Sequence, residues 1–232
     1  MSPSYVSPPW SAYMNQLHPG WFHKLFNATV MPCVSLDVEG VLADVHSVWI
    51  NKFNKDFDMD ISLENISHYD FSSIPKKYHP LKHFMDYTRD LWAKDWESIP
   101  LVEKQPHLAL DKFVGEAHYP LDIVTARNSD VLVKEKVISW LKHNDLLEYC
   151  RNVHFTDAHK KALLFYDFYI DDNPFLQETL EPWQTQIVFK RPWNESFVET
   201  HQFISKKSLA GSFVHIMTYD AQARLSRLAF SR

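Results

Sequence analysis

The side chains best suited to chemistry stand at the ends of short apolar runs. Asp37 closes V-M-P-C-V-S-L-D at 30–37, Glu39 comes two residues later, and Gly40 is next. Thr125 closes L-D-I-V-T at 121–125, and Asp171-Asp172 closes F-Y-I-D at 168–171 and leads into Asn-Pro. Lys160 and Lys161 precede that acidic pair. Carboxylates as close as Asp37 and Glu39 repel when both are charged, so they call for a compensating charge. Singly, each residue has an ordinary structural reading: Asp37 and the acidic pair as turn residues, Thr125 as a helix cap, the lysines as solvated surface. Together they are acids, a hydroxyl and an ammonium at strand ends, where an open parallel sheet binds its ligands.

Periodicity indicates the strands and helices that carry these residues. Short, partly β-branched apolar runs at 30–37, 121–125, 152–156, 168–171 and 185–189 read as buried strands. A helix over 129–143 has Val133, Val137, Trp140 and Leu141 on one face and Ser129 as its N-cap. Strands alternating with helices predict an α/β fold with a parallel sheet covered on both faces. A last strand at 213–218 and a helix at 219–229 are expected in the tail. Residues 45–110 break the rhythm. Val45, Val48, Trp49, Phe53 and Phe57 recur at helical spacing, as do Leu81, Phe84, Met85, Leu91 and Trp92. This segment reads as a helical insertion after the first strand. The expected organisation is an irregular arm over 1–28, a core from 29–44 and 111–232, and a helical cap over 45–110.

These motifs, in this order, resemble the haloacid dehalogenase superfamily of phosphotransferases. D-V-E-G-V-L at 37–42 is similar to its first motif, the strand ending in Thr125 to its second, a lysine to its third, and Y-I-D-D-N-P at 169–174 to its fourth. L-A-D-V-H, E-N-I-S-H-Y-D, V-T-A-R and K-R-P-W-N look most like the cytosolic deoxyribonucleotidase branch. The resemblance implies a Rossmann-like core with a small helical C1 cap, and a Mg2+-dependent phosphatase. By that resemblance Asp37 is the nucleophile, Glu39 the acid and base, and Thr125 and Lys161 the phosphoryl grip. Mg2+ is held by Asp37, the Glu39 carbonyl and Asp171, with Asp172 orienting Lys161 or a metal-bound water. Ala126 and Arg127 beside Thr125, and Tyr69 and Phe71 of the cap, are the remaining substrate-binding candidates. Lys161, with Ala-Leu-Leu after it, fits the third motif better than Lys160. Most relatives carry Asp where Glu39 stands, although an enolase-phosphatase branch has D-I-E-G-T. Val45 and Asn173 replace the aromatic and the arginine of the deoxynucleotidases. The substrate implied is a small phosphate ester, a nucleoside monophosphate first and a sugar phosphate second. A catalytically silent binding protein is the reading from a different class.

Composition sets the outer bounds. The 232 residues carry a net charge of −5 and no long basic run, which argues against duplex nucleic acid. No apolar run approaches the ~18 residues of a membrane span, and the N-terminus has no secretory pattern. Two cysteines, Cys33 and Cys150, with no C-x-x-C, suit a reducing cytoplasm. A homodimer is left open.

Overall fold

The computed structural model describes residues 31–127 and 130–230. The arm expected over 1–28 and the cap candidate Ser129 lie outside the described residues. Six strands form one sheet: β1 (Val34–Leu36), β2 (Leu121–Thr125), β3 (Val153–Phe155), β4 (Phe168–Asp171), β5 (Thr185–Phe189) and β6 (Phe203–Lys206). Their order is β3-β2-β1-β4-β5-β6 and every neighbouring pair is parallel. The chain adds strands toward one edge through β3, then returns to the middle and adds toward the other. Strand order therefore reverses between β1 and β4, where this kind of sheet opens a crevice at its carboxyl end. Leu36 pairs with Ile170, and the Asp37 N–H continues the ladder to the Ile170 carbonyl at 2.9 Å. This register brings Asp37 and Asp171 side by side. The fold is the expected α/β, Rossmann-like one.

Among the described residues, five α-helices pack with the sheet. α1 (Val45–Phe57) starts where Asp44 accepts a hydrogen bond from the Ser47 hydroxyl at 2.7 Å. α2 (Pro80–Lys94) starts with proline, whose missing N–H costs nothing in a first turn. α3 (His107–Leu110) runs into a wider π-type stretch, Asp111–Glu116. α4 (Val131–His143) is capped by Asp130, which accepts from the Leu132 N–H at 2.9 Å. The acid one place past Ser129 thus supplies the cap. α5 (Leu209–Phe230) replaces the strand expected at 213–218 and the later start of the last helix. The reason is periodicity: Leu209, Ser212, Phe213, Ile216 and Asp220 are buried, a helical spacing, while Val214 is 57% exposed. β6, an edge strand, is not among the expected strands because F-I-S-K is half polar and only half-buried, unlike the apolar runs that mark the others.

α1 and α2 come from the segment inserted after β1, and they share one apolar core with the sheet. Trp49, Phe53, Phe84, Leu91 and Trp92 belong to the same buried cluster as Val133, Val137 and Trp140 of α4. The Trp92 and Trp140 rings meet edge to face at 5.9 Å. The same buried cluster takes in the stretch after α3 and helix α5, where Phe113 stacks on Phe213 at 4.2 Å. Leu81 and Met85, expected on the apolar face of α2, are instead 48% and 51% exposed, because that edge of the helix borders a cleft.

Candidate active site

The loop after β1 is a tight turn. The amides of Leu42 and Ala43 both donate to the Val38 carbonyl, at 2.9 and 2.7 Å. Gly40 sits in it at φ +76, a left-handed conformation that suits glycine. The turn lies against Asp172, and glycine's missing side chain is what allows that approach. The Asp37 side chain is fixed through Oδ1, which accepts from the Val38 N–H at 2.8 Å.

Lys161 lies in a short 3-10 segment, Ala158–Leu164. It is 3% exposed, and its ammonium reaches Asp37 Oδ2 at 2.8 Å and Asp171 Oδ2 at 2.6 Å. Lys160 points elsewhere and pairs with Asp157 on the surface. Asp171 Oδ1 accepts from the Asn173 N–H. Asp172 is held by the loop after β5: Trp193 Nε1 donates to its Oδ2 at 2.9 Å, and Asn194 Nδ2 donates to its carbonyl at 2.8 Å. Asp171, not Asp172, therefore engages Lys161. Asp37, Asp171 and Asp172 present carboxylate oxygens within 4.8 Å of one another, all buried.

Three buried carboxylates against one buried ammonium leave excess negative charge. Burial pushes the Asp37 carboxyl up to about 7, against the pull of Lys161 and with Asp171 adding to the rise. Burial, then Asp171 and Asp37, hold Asp172 well above the usual carboxylate range. Burial alone would lower the Lys161 ammonium, but Asp171 and Asp37 more than offset it and the net shift is upward. A cluster of hard oxygens with unmet negative charge fits a divalent cation such as Mg2+.

Asp37, Glu39, Thr125, Ala126, Lys161 and Asp172 line one cleft of about 110 Å³. Its other wall is apolar and comes from the inserted segment: Leu81, Phe84 and Met85 of α2, with His46, Tyr69 and Phe71. Phe71 is 3% exposed and packs on Trp49 at 4.8 Å, so it is first a core residue with one edge at the cleft. Tyr69 is half-buried, and burial, then Asp172 and Asp171, keep its hydroxyl well above its ordinary value. Arg127 does not border this cleft; it turns to Glu39 in a two-pronged ion pair, with Nε to Oε1 at 2.7 Å. The Glu39 side chain consequently stands outside the carboxylate cluster. Sequence reasoning missed three contributors: Trp92, which donates to Glu39, and Trp193 and Asn194, which hold Asp172. K-R-P-W-N was a motif without a role; these contacts give it one.

A family model described as "5' nucleotidase, deoxy (Pyrimidine), cytosolic type C protein" matches residues 31–210. The chain belongs to this family. Solved structures of the haloacid dehalogenase superfamily share its fold. A haloacid dehalogenase-like family hydrolase from Xanthomonas campestris is 11% identical with a TM-score of 0.53, over 83% of this chain and 97% of that one. A conserved haloacid dehalogenase-like protein of unknown function from Agrobacterium tumefaciens is 12% identical with a TM-score of 0.54, over 82% and 99%. A subfamily IA hydrolase from Geobacter sulfurreducens is 12% identical with a TM-score of 0.50, over 80% and 100%. No curated protein matches the chain. The span matched to the cytosolic type C nucleotidase family contains every residue of the cleft. Among the described residues no helix is long and apolar enough to cross a membrane.

Proposed function

We propose that the chain is a Mg2+-dependent phosphomonoester hydrolase acting through an aspartyl-phosphate on Asp37, with a nucleoside monophosphate as substrate. One observation carries the reading: the buried Lys161 ammonium bridges Asp37 and Asp171 at 2.8 and 2.6 Å. A lysine placed between two acids, beside Thr125, suits a phosphoryl group more than a neutral ligand. Membership of the cytosolic type C nucleotidase family supports the same substrate class and a cytoplasmic setting.

Asp37, Asp171, Asp172 and the Glu39 backbone carbonyl would hold the ion. Mg2+ when bound supplies charge neutralisation for the phosphoryl oxygens. Asp37, its rotamer fixed by the Val38 amide, attacks phosphorus. Lys161 has three N–H bonds, of which two go to carboxylates, leaving one for a phosphoryl oxygen. Thr125 supplies a hydroxyl at the end of the neighbouring strand β2. Glu39 protonates the leaving oxygen and then takes a proton from the water that releases phosphate.

The cleft of about 110 Å³ has room for a phosphoryl group, well below the ~300 Å³ at which small-molecule sites begin. The leaving group must therefore extend along Leu81 and Met85, the half-exposed apolar edge of α2. That edge suits the flat face of a nucleobase better than the hydroxyls of a sugar phosphate.

The test is phosphate release from nucleoside and sugar monophosphates, with Mg2+ and with chelator. Mg2+-dependent release that Asp37→Asn abolishes supports the reading, and the best ester names the class. No release by folded, Mg2+-binding protein would leave the silent binding protein as the better reading.

A further inference from the structure

Glu39 is held by three N–H donors. Trp92 Nε1 and Arg127 Nε both donate to Oε1, at 2.5 and 2.7 Å, and an Arg127 terminal nitrogen donates to Oε2. A carboxylate oxygen offers two lone pairs, so Oε1 is saturated and Oε2 keeps one. Any proton that Glu39 gives or takes therefore moves at Oε2.

The donors are themselves braced by α2. Arg127 also donates to Thr88 Oγ1 at 3.1 Å, and Thr88, fully buried, donates to the Phe84 carbonyl at 2.8 Å. The Trp92 ring, 0% exposed against Trp140, has no room to swing. The arrangement is cut to the length of glutamate. An aspartate, shorter by one carbon–carbon bond of roughly 1.5 Å, would draw away from Trp92 and Arg127 and strand both donors.

We propose that Trp92 and Arg127 are positioning residues that grip Glu39 by Oε1 and present Oε2 to the leaving oxygen, so that the inserted helix α2 sets the geometry of proton transfer. This rests on the phosphatase reading above. In the first half-reaction the Asp37–phosphorus bond forms as the ester P–O bond breaks, and the Oε2 proton passes to the departing oxygen. In the second, water attacks phosphorus, the Asp37–phosphorus bond breaks, and Oε2 takes the water's proton. Glu39 ends as it began.

The experiment compares the full chain with Trp92→Phe and Arg127→Gln, in Mg2+, on a nucleoside 5′-monophosphate and on p-nitrophenyl phosphate. The nucleoside oxygen needs a proton to leave and the nitrophenolate does not, so kcat/KM for the two esters separates proton transfer from everything else. The expected result is that the nucleoside-to-nitrophenyl ratio of kcat/KM falls at least tenfold in both variants, a partial loss of the 10²–10⁴ that acid–base catalysis contributes. Trp92→Phe keeps the ring that fills the core, and thermal unfolding confirms that each variant is folded. Equal losses on both esters, or an unchanged ratio, would overturn the proposal and leave the phosphatase reading standing. Hydrolysis of neither ester by the unsubstituted chain would remove that reading and the proposal together.

Discussion

A Cβ placed on Gly40 would lie 2.1 Å from Asp172 Oδ2 and 2.6 Å from its carboxyl carbon. The two residues come from loops 132 positions apart in sequence, and the contact locks the turn after β1 onto the acid just past β4. Gly40 also sits at φ +76, where a side chain adds roughly 1–2 kcal/mol of backbone strain. Gly40→Ala is therefore expected to lower stability by about 2–4 kcal/mol, strain and overpacking together, and to displace Asp172. Urea unfolding and a calorimetric Mg2+ titration measure the two effects. A variant as stable as the parent, with the same affinity, would show that the turn can yield.

The two lysines should behave differently. Lys161→Met leaves Asp37 and Asp171 buried without their cation, and breaking such a pair costs about 3–5 kcal/mol. Lys160→Met removes an exposed pair with Asp157 and should change stability by less than about 1 kcal/mol. Mg2+ should restore part of the loss in Lys161→Met, where the ion can take over the charge. Melting temperatures of the two variants with and without Mg2+ decide it. Similar losses in both would contradict the burial of Lys161.

His46 lies 6% exposed between Phe84 at 4.8 Å and Trp193 at 4.0 Å, and its Nδ1 has no hydrogen-bond partner among the described residues. Burial first, then the charges of Arg191 and Arg127, hold the ring well below its ordinary value. The folded state thus keeps His46 neutral where the unfolded chain would protonate it. Its stabilisation is complete above the unfolded value of about 6.5 and declines as pH falls below it, by up to about 1.4 kcal/mol per pH unit. His46→Phe should flatten the stability profile between about pH 6.5 and 5. Parallel profiles for parent and variant, from urea midpoints, would argue against a neutral His46.

Trp193 holds Asp172 Oδ2 by its indole N–H at 2.9 Å. Trp193→Phe keeps the ring beside His46 and deletes the donor. Groups that orient a metal ligand are worth about 10–100-fold in affinity, so Mg2+ binding should weaken within that range. Calorimetry reads the change directly, and an unaltered affinity would mean that Asn194 and Gly40 suffice to hold Asp172.

Much of the centre is legible in the sequence because strand ends leave local marks. Asp37, Thr125 and Asp171 each close a short apolar run, and parallel topology sends such ends to one edge. The Ala-Leu-Leu run directly after Lys161 sets it apart from Lys160 by resemblance, and Lys161 is the buried one of the two. The contacts that escape a reading of the sequence join residues distant along the chain. Trp92 reaches Glu39 across 53 positions and Trp193 reaches Asp172 across 21, and nothing near either tryptophan marks the partner. Arg127 is expected to bind substrate from its place beside Thr125; its hold on Glu39 depends on where α2 packs. The tail misleads because Val214 and Ile216 suggest a strand, whereas burial obeys the helical spacing from Leu209 to Asp220.

The shared core has a consequence for modularity. Trp92 on Trp140, and Leu91 in one cluster with Val133 and Val137, make the inserted helices part of the body's own interior. They are not an accessory that can be cut out or exchanged for a relative's. A chain shortened by removing 45–105 would lay bare the apolar face of α4 and should aggregate, and the intact protein should melt in one transition. Changing the specificity of this enzyme by transplanting a foreign insertion would mean rebuilding its core as well.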